Sequence, residues 1–157
     1  MKQILISLIL VLLMWSTSNI IDIAGVVRAS FEKEPIIKTN WQMVSEEFEK
    51  LTHAQFVWLG ALEWCESRGQ GVKAVNPKDK DGTPSYYWWQ FKPETFKAFG
   101  EKYGLFEKGK SIAEIKELMK GYLLTVQVMV NMIPDKAVDW DNEFPGCVAK
   151  LGPPPQN

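Results

Sequence analysis

Glu66 is the residue with most chemistry to offer, in the run Glu63-Trp64-Cys65-Glu66-Ser67-Arg68-Gly69. Phe56, Leu59 and Leu62 precede it at helical spacing, so the acid stands where the preceding turns carry apolar side chains, while Val57, Ala61 and Cys65 repeat at every fourth position beside them. A carboxyl among apolar neighbours loses solvation of its charged form, and its pKa rises. The negative end of a helix pushes the same way, and a like charge on Glu63, three residues earlier, is expected to add to it. A glutamate that keeps its proton near neutral pH can act as a general acid on a glycosidic oxygen. The competing reading is a solvated helix-end glutamate beside a structural disulfide.

Other groups extend the picture. Asn76, Ser85 and Gln90 are short polar side chains suited to sugar hydroxyls and amides, and Tyr86, Tyr87, Trp88, Trp89 and Phe91 offer flat apolar faces. Trp89 and Phe91 are expected in the core and Tyr86 in a cleft. A hydrolase with two carboxylates needs a partner about 5–5.5 Å away for retention or about 6.5–9.5 Å for inversion. Asp79, Asp81 and Glu94 follow Glu66, and Glu63 shares its helix, but all four read as solvated charges, which favours a single acid. Asp79-Lys80-Asp81-Gly82 has the look of a calcium loop. With the glycine at the sixth loop position, however, Pro77 and Trp88 occupy the first and twelfth, where an acidic residue is needed, so no metal is expected. His53, at a helix start, reads as a surface residue.

The elements that must position these residues are mostly helices. Thr52 with Gln55 forms a capping box that starts a helix running to Ser67, stopped by Gly69. Residues 70–92 lack helical period; Asn76-Pro77 and Asp81-Gly82 mark turns, and Ser85 to Phe91 reads as a short strand or extended segment. Pro93 opens a short helix over 93–99, with Gly100 after it. Ser111 with Glu114 caps another, whose stripe from Ile112 through Ile115, Met119, Val126 and Val130 predicts one helix as far as Pro134. The end, Leu151-Gly152-Pro153-Pro154-Pro155-Gln156-Asn157, reads as a polyproline-like tail.

The whole chain, 157 residues with 46% hydrophobic and 24% charged, has the composition of one packed domain. A net charge of −1 leaves no basic footprint for nucleic acid. Lys2 and the apolar run Ile4–Trp15 fit a secretory signal peptide, and Ile4 to Val27 is long enough to be an uncleaved membrane anchor instead. Residues 1–29 are therefore a signal peptide or anchor, 30–44 a linker, 45–152 the folded domain and 153–157 the tail. Both readings of the N-terminus place the domain outside the cytoplasm, secreted or at the cell surface. In an oxidising compartment Cys65 and Cys147, the only two cysteines, are expected to pair.

The stretch Cys65-Glu66-Ser67 to Phe99-Gly100 resembles the catalytic core of the soluble-lytic-transglycosylase-like and resuscitation-promoting-factor domains. Those families carry a helix-terminal Glu-Ser, then Asn-Pro, then Ser-Tyr-Gly followed by two apolar residues and Gln-Phe. Cys-Glu-Ser is most similar to the resuscitation-promoting factors, where a disulfide flanks the catalytic acid. The resemblance covers roughly residues 50–150. It implies a mainly α, lysozyme-like fold with a short irregular or β segment after the catalytic helix. It also implies cleavage of the β-1,4 bond between N-acetylmuramic acid and N-acetylglucosamine in peptidoglycan, without metal or organic cofactor. Separately from the resemblance, a monomer is expected, although no residue pattern fixes the oligomeric state. Glu66 takes the place of the single catalytic acid/base, Ser67 that of the serine after it, and Ser85, Tyr86 and Gln90 match residues around the glycan cleft; with Asn76 and Tyr87 they are the residues expected to bind substrate. In lytic transglycosylases the acid protonates the leaving oxygen and then serves as base while the sugar's own C6 hydroxyl attacks, giving a 1,6-anhydro product. The alternatives are a lysozyme-type muramidase and a catalytically impaired glycan-binding module. Tyr87 and Trp88 depart from the pattern, standing where glycine and leucine or methionine are usual; Tyr87 narrows the cleft or adds a stacking face. The Ala-Tyr-Asn-Ala-Gly element of many lytic transglycosylases is absent.

Overall fold

A computed structural model describes residues 38–156 apart from Lys80. The apolar run from Ile4, with both readings of it, residues 30–37 of the expected linker and Asn157 lie outside the described residues. Thr39 and Gln42 cap each other reciprocally, with Thr39 N–H donating to Gln42 Oε1 at 2.8 Å, and so start helix α1, Asn40–Phe48. The stretch expected to be a linker up to residue 44 is therefore helical from Asn40. α1 buries Val44 and packs on α5 (Tyr122–Met132), where Gln127 Nε2 donates to Glu47 Oε1 at 3.2 Å.

Helix α2, His53–Ser67, starts at the Thr52–Gln55 capping box, as its sequence predicts. Its buried face is Gln55, Trp58, Leu59 and Leu62. Phe56 and Val57 instead lie on the solvent side, 45% and 54% exposed, so the stripe leading to Glu66 is the narrower one through Leu59 and Leu62. The chain's end docks along this helix: Trp58 Nε1 donates to Gly152 O and Gln55 Nε2 to Pro155 O, both at 3.0 Å, and Pro154 is fully buried. The proline-rich segment thus packs with the domain as far as it is described.

After α2 come a single turn of 3-10 helix at Gly71–Lys73 and a two-stranded antiparallel hairpin. Strand β1, Val75–Asn76, pairs with β2, Ser85–Tyr86, in the register Val75 to Tyr86 and Asn76 to Ser85. The fold is mainly α, with this small β segment following the helix that carries Glu66.

Helix α3, Pro93–Lys102, has Pro93 at its first turn but runs through Gly100 rather than stopping before it. Gly100 is there because the Phe106 ring lies on it; a Cβ would sit 2.1 Å from a ring carbon. The single helix expected from Ile112 is two, α4 at Ile112–Met119 and α5 at Tyr122–Met132. The break falls at Gly121, which is extended and whose carbonyl accepts from Thr125 N–H at 3.2 Å, and the Thr125 hydroxyl lies within reach of two carbonyls at the break, 3.0 Å from Gly121 O and 3.3 Å from Met119 O. α5 buries Val126, Val128, Met129, Val130 and Met132 on several faces, as a central core helix does. Helices α6, Trp140–Glu143, and α7, Pro145–Leu151, close the domain, with α7 packed on α2. Trp89 and Phe91 are core residues, and Trp89 Nε1 donates to Leu59 O at 3.3 Å. No helix among the described residues is long and apolar enough to cross a membrane.

Candidate active site

The end of α2 is held from two directions. Cys65 is disulfide-bonded to Cys147 of α7, with Cα atoms 5.9 Å apart. Ser67 is buried; its Oγ donates to Glu63 O at 2.9 Å and accepts from Gly69 N–H at 3.2 Å, closing the last turn as Arg68 enters the left-handed region at φ 54°. Ser67 is thus committed to shaping the helix terminus that presents Glu66.

Glu66 is half-buried and lines two adjoining cavities. One, of about 390 Å³, is walled by the α2 end and the hairpin, including Arg68, Gln70, Asn76, Asp79, Ser85 and Gln90. That size falls within the ~300–1,000 Å³ of ligand pockets. The other, of about 160 Å³, lies between the disulfide, Asp79, Gln90, Glu143 and Lys150. A third, of about 310 Å³, shares Asp79 and Gln90 and runs on to Thr95, Asn142 and Glu143. Asp79 and Gln90 therefore join all three.

Burial pushes the Glu66 carboxyl up to about 7, and the charge of Asp79 adds to the rise, while Lys150 and Arg68 oppose it. The expected contribution of Glu63 is not found. That carboxylate turns to accept from Tyr122 Oη at 3.1 Å, and the like charge acting on Glu66 comes from Asp79 across the cleft. Burial also raises Glu63, against its bond from Tyr122, and Glu143. Of the four acids expected to be solvated, Asp81 and Glu94 are exposed, whereas Glu63 and Asp79 are half-buried.

Gln90 is tightly placed. Its backbone is left-handed at φ 52°; its Oε1 accepts from Ser85 Oγ at 3.3 Å and its Nε2 donates to Tyr87 O at 2.9 Å. Ser85 and Asn76, opposite each other in the hairpin, join Gln90 on the cavity wall. Successive strand residues face opposite ways, so Tyr86 turns from the side Ser85 faces. The Tyr86 ring has Lys116 Nζ 4.7 Å from its centroid. Tyr87 sits at φ 65°, with its N–H donating to Ala74 O at 2.7 Å and its ring 5.6 Å from that of Tyr86. Neither tyrosine lines the cavities at Glu66. The left-handed backbone at Tyr87 is a conformation glycine adopts freely and other residues take at a cost of roughly 1–2 kcal/mol. Trp88 lies over Gly71, where a Cβ would come within 2.5 Å of its ring.

Structure thus brings Glu66, Ser67, Asn76, Ser85 and Gln90 to one cleft and leaves Tyr86 and Tyr87 beside it. Sequence reasoning set Asp79 aside as a solvated charge and did not single out Arg68, Glu143 or Lys150. Glu143 and Lys150 carried a signal: they lie four before and three after Cys147, so a bond from Cys147 to Cys65 brings them to Glu66. Comparison of the chain with protein-family models, with curated proteins and with solved structures finds no match.

The raised carboxyl has a consequence for stability. A free glutamate loses its proton near 4.5 and Glu66 in the fold near 7, so the folded chain holds the proton more tightly. That contribution to stability is fully present below about 4.5 and is lost as pH rises through about 7. Glu66→Gln keeps a neutral side chain at every pH. Its unfolding free energy from urea titration is expected to match wild type near pH 4 and exceed it above pH 7, by roughly 1–3 kcal/mol after discounting for partial exposure, with the midpoint moving the same way. Equal midpoints at pH 8 would show that Glu66 ionises freely.

Proposed function

We propose that this chain is an exported enzyme that cleaves the glycan strands of peptidoglycan at the β-1,4 bond between N-acetylmuramic acid and N-acetylglucosamine. The observation that carries the reading is Glu66: a carboxyl raised to about 7 on the wall of a cavity of about 390 Å³. A group with that pKa keeps its proton on a substantial share of molecules at neutral pH and can also be recycled as a base, which is what glycosidic cleavage asks of its acid. Asn76 and Gln90 on the same wall offer amides to sugar hydroxyls and acetamido groups. The disulfide at Cys65 fixes the acid's position, as a catalytic group requires. The apolar N-terminal run supports an extracytoplasmic place of work.

In the reaction, Glu66 gives its proton to the bridging oxygen, the bond from the muramic-acid C1 to that oxygen breaks, and positive charge develops at C1. The resemblance to lytic transglycosylases implies capture of C1 by the sugar's own C6 hydroxyl; a muramidase would use water. Purified protein incubated with peptidoglycan is expected to release soluble muropeptides detectable by mass spectrometry. Binding to sacculi without any release, by wild type and Glu66→Gln alike, would mark a glycan-binding module instead.

A further inference from the structure

We propose that Asp79 is a second catalytic carboxylate, the base that delivers a water to the anomeric carbon once Glu66 has protonated the leaving oxygen, so that the enzyme hydrolyses its substrate. This rests on the glycan-cleaving reading above and decides how the reaction ends.

Asp79 lines both cavities that Glu66 lines. It belongs to the hairpin loop, and that loop is anchored at several points. Asp79 N–H donates to Thr83 O at 3.1 Å and Asp79 O accepts from Gly82 N–H at 2.8 Å. Two residues on, Asp81 accepts from Thr83 Oγ and from Lys92 Nζ, both at 2.7 Å, which ties the loop to the residue before α3. An acidic side chain carried on a loop whose backbone is anchored in this way, on the wall of the cleft that holds Glu66, is placed for general-base work, which needs a fixed position. The charge of Asp79 is itself one cause of the proton retained on Glu66. Glu143 shares the smaller cavity but is the poorer base candidate: burial and Asp139 favour its neutral form, against Asn142 and Lys92, and it is not among the groups that shift Glu66. A mechanism ending in attack by the C6 hydroxyl uses a single acid/base and asks of Asp79 only its charge beside Glu66.

The step balances without a co-reactant other than water. Glu66 loses its proton to the departing oxygen, which becomes the free hydroxyl of the N-acetylglucosamine. Asp79 takes a proton from water, whose oxygen bonds to C1 and leaves a reducing-end muramic acid. Solvent exchange then returns a proton to Glu66 and removes one from Asp79.

The experiment digests purified peptidoglycan in H₂¹⁸O with the full chain and its Glu66→Gln, Asp79→Asn and Asp79→Ala variants, with melting curves run alongside. Wild type is expected to give reducing-end products carrying one ¹⁸O. Asp79→Asn is expected to lose about 10²–10⁴-fold in hydrolysis while melting as wild type does. Formate added to Asp79→Ala should restore turnover, which a merely structural role would not allow, and keeps the test alive if Asn distorts the loop. The residues charged or titratable around Glu66 are Asp79, Arg68, Lys150 and Glu143; removing the Asp79 charge should move the alkaline limb of kcat/KM to lower pH. Anhydro products from wild type, at a rate unchanged in Asp79→Asn but abolished in Glu66→Gln, would overturn the role of Asp79 and leave glycan cleavage standing. No turnover by wild type would overturn both.

Discussion

Glu66→Gln is expected to lower turnover of peptidoglycan by about 10²–10⁴-fold, the usual contribution of a positioned general acid. The amide is close in shape to the carboxyl and can still accept and donate hydrogen bonds, so the cleft keeps its form and glycan affinity should change little. What disappears is the proton. The loss should therefore appear in kcat rather than in KM, since the acid's work is done in the transition state. The same variant is expected to be at least as stable as wild type at neutral pH, because burial disfavours the charge that Gln cannot carry. Lower activity with undiminished stability separates a catalytic glutamate from a structural one. A Glu66→Gln enzyme with wild-type kcat would remove Glu66 from the chemistry, whatever the cleft binds.

Glu66 could be picked out from sequence because its signal is local. Leu59, Leu62 and Glu66 lie three and four residues apart, and a helix puts such residues on one face without help from the rest of the chain. The capping boxes at Thr52 and Ser111 are local in the same way, and both start helices where expected. Thr39 with Gln42 carries the same pattern, but the few periodic apolar residues after it hid α1 in an expected linker. The division between α4 and α5 was concealed for the opposite reason: apolar residues continue at helical spacing on both sides of Gly121. Asp79 was hidden more deeply. It sits in a polar turn, where exposure is the natural reading, and only the return of the hairpin across the end of α2 turns it toward Glu66. Tyr86 shows the reverse case. Its aromatic character and the family resemblance pointed to the cleft, while the alternation along β2 gives the cavities at Glu66 to Ser85 and places the ring beside Lys116.

Cys65→Ser/Cys147→Ser is expected to cost up to about 4–5 kcal/mol, since the bond closes a loop of roughly 80 residues in the unfolded chain. The sequence separation is 82, so the bond restricts most of the described domain. For a domain whose whole stability is of order 5–15 kcal/mol, the double variant should remain folded only in a narrower range, with Tm lower by on the order of 15 °C. Denaturant titration with and without reductant measures the same difference, and the m-value should rise on reduction because the open unfolded chain exposes more surface. The bond also has a local role. Cys65 immediately precedes Glu66, and Cys147 is flanked by Gly146 and, one turn on, by Lys150, all on the wall of the smaller cavity. Its removal frees the end of α2 to move relative to α7, and catalysis is sensitive to misplacement of the order of 1 Å. Activity should therefore fall well below the folded fraction even at 10 °C, far under the new Tm. If activity instead followed the folded fraction, the disulfide would be a fastening for the domain alone, and Ser67 with the hydrogen-bonded end of α2 would suffice to hold the acid.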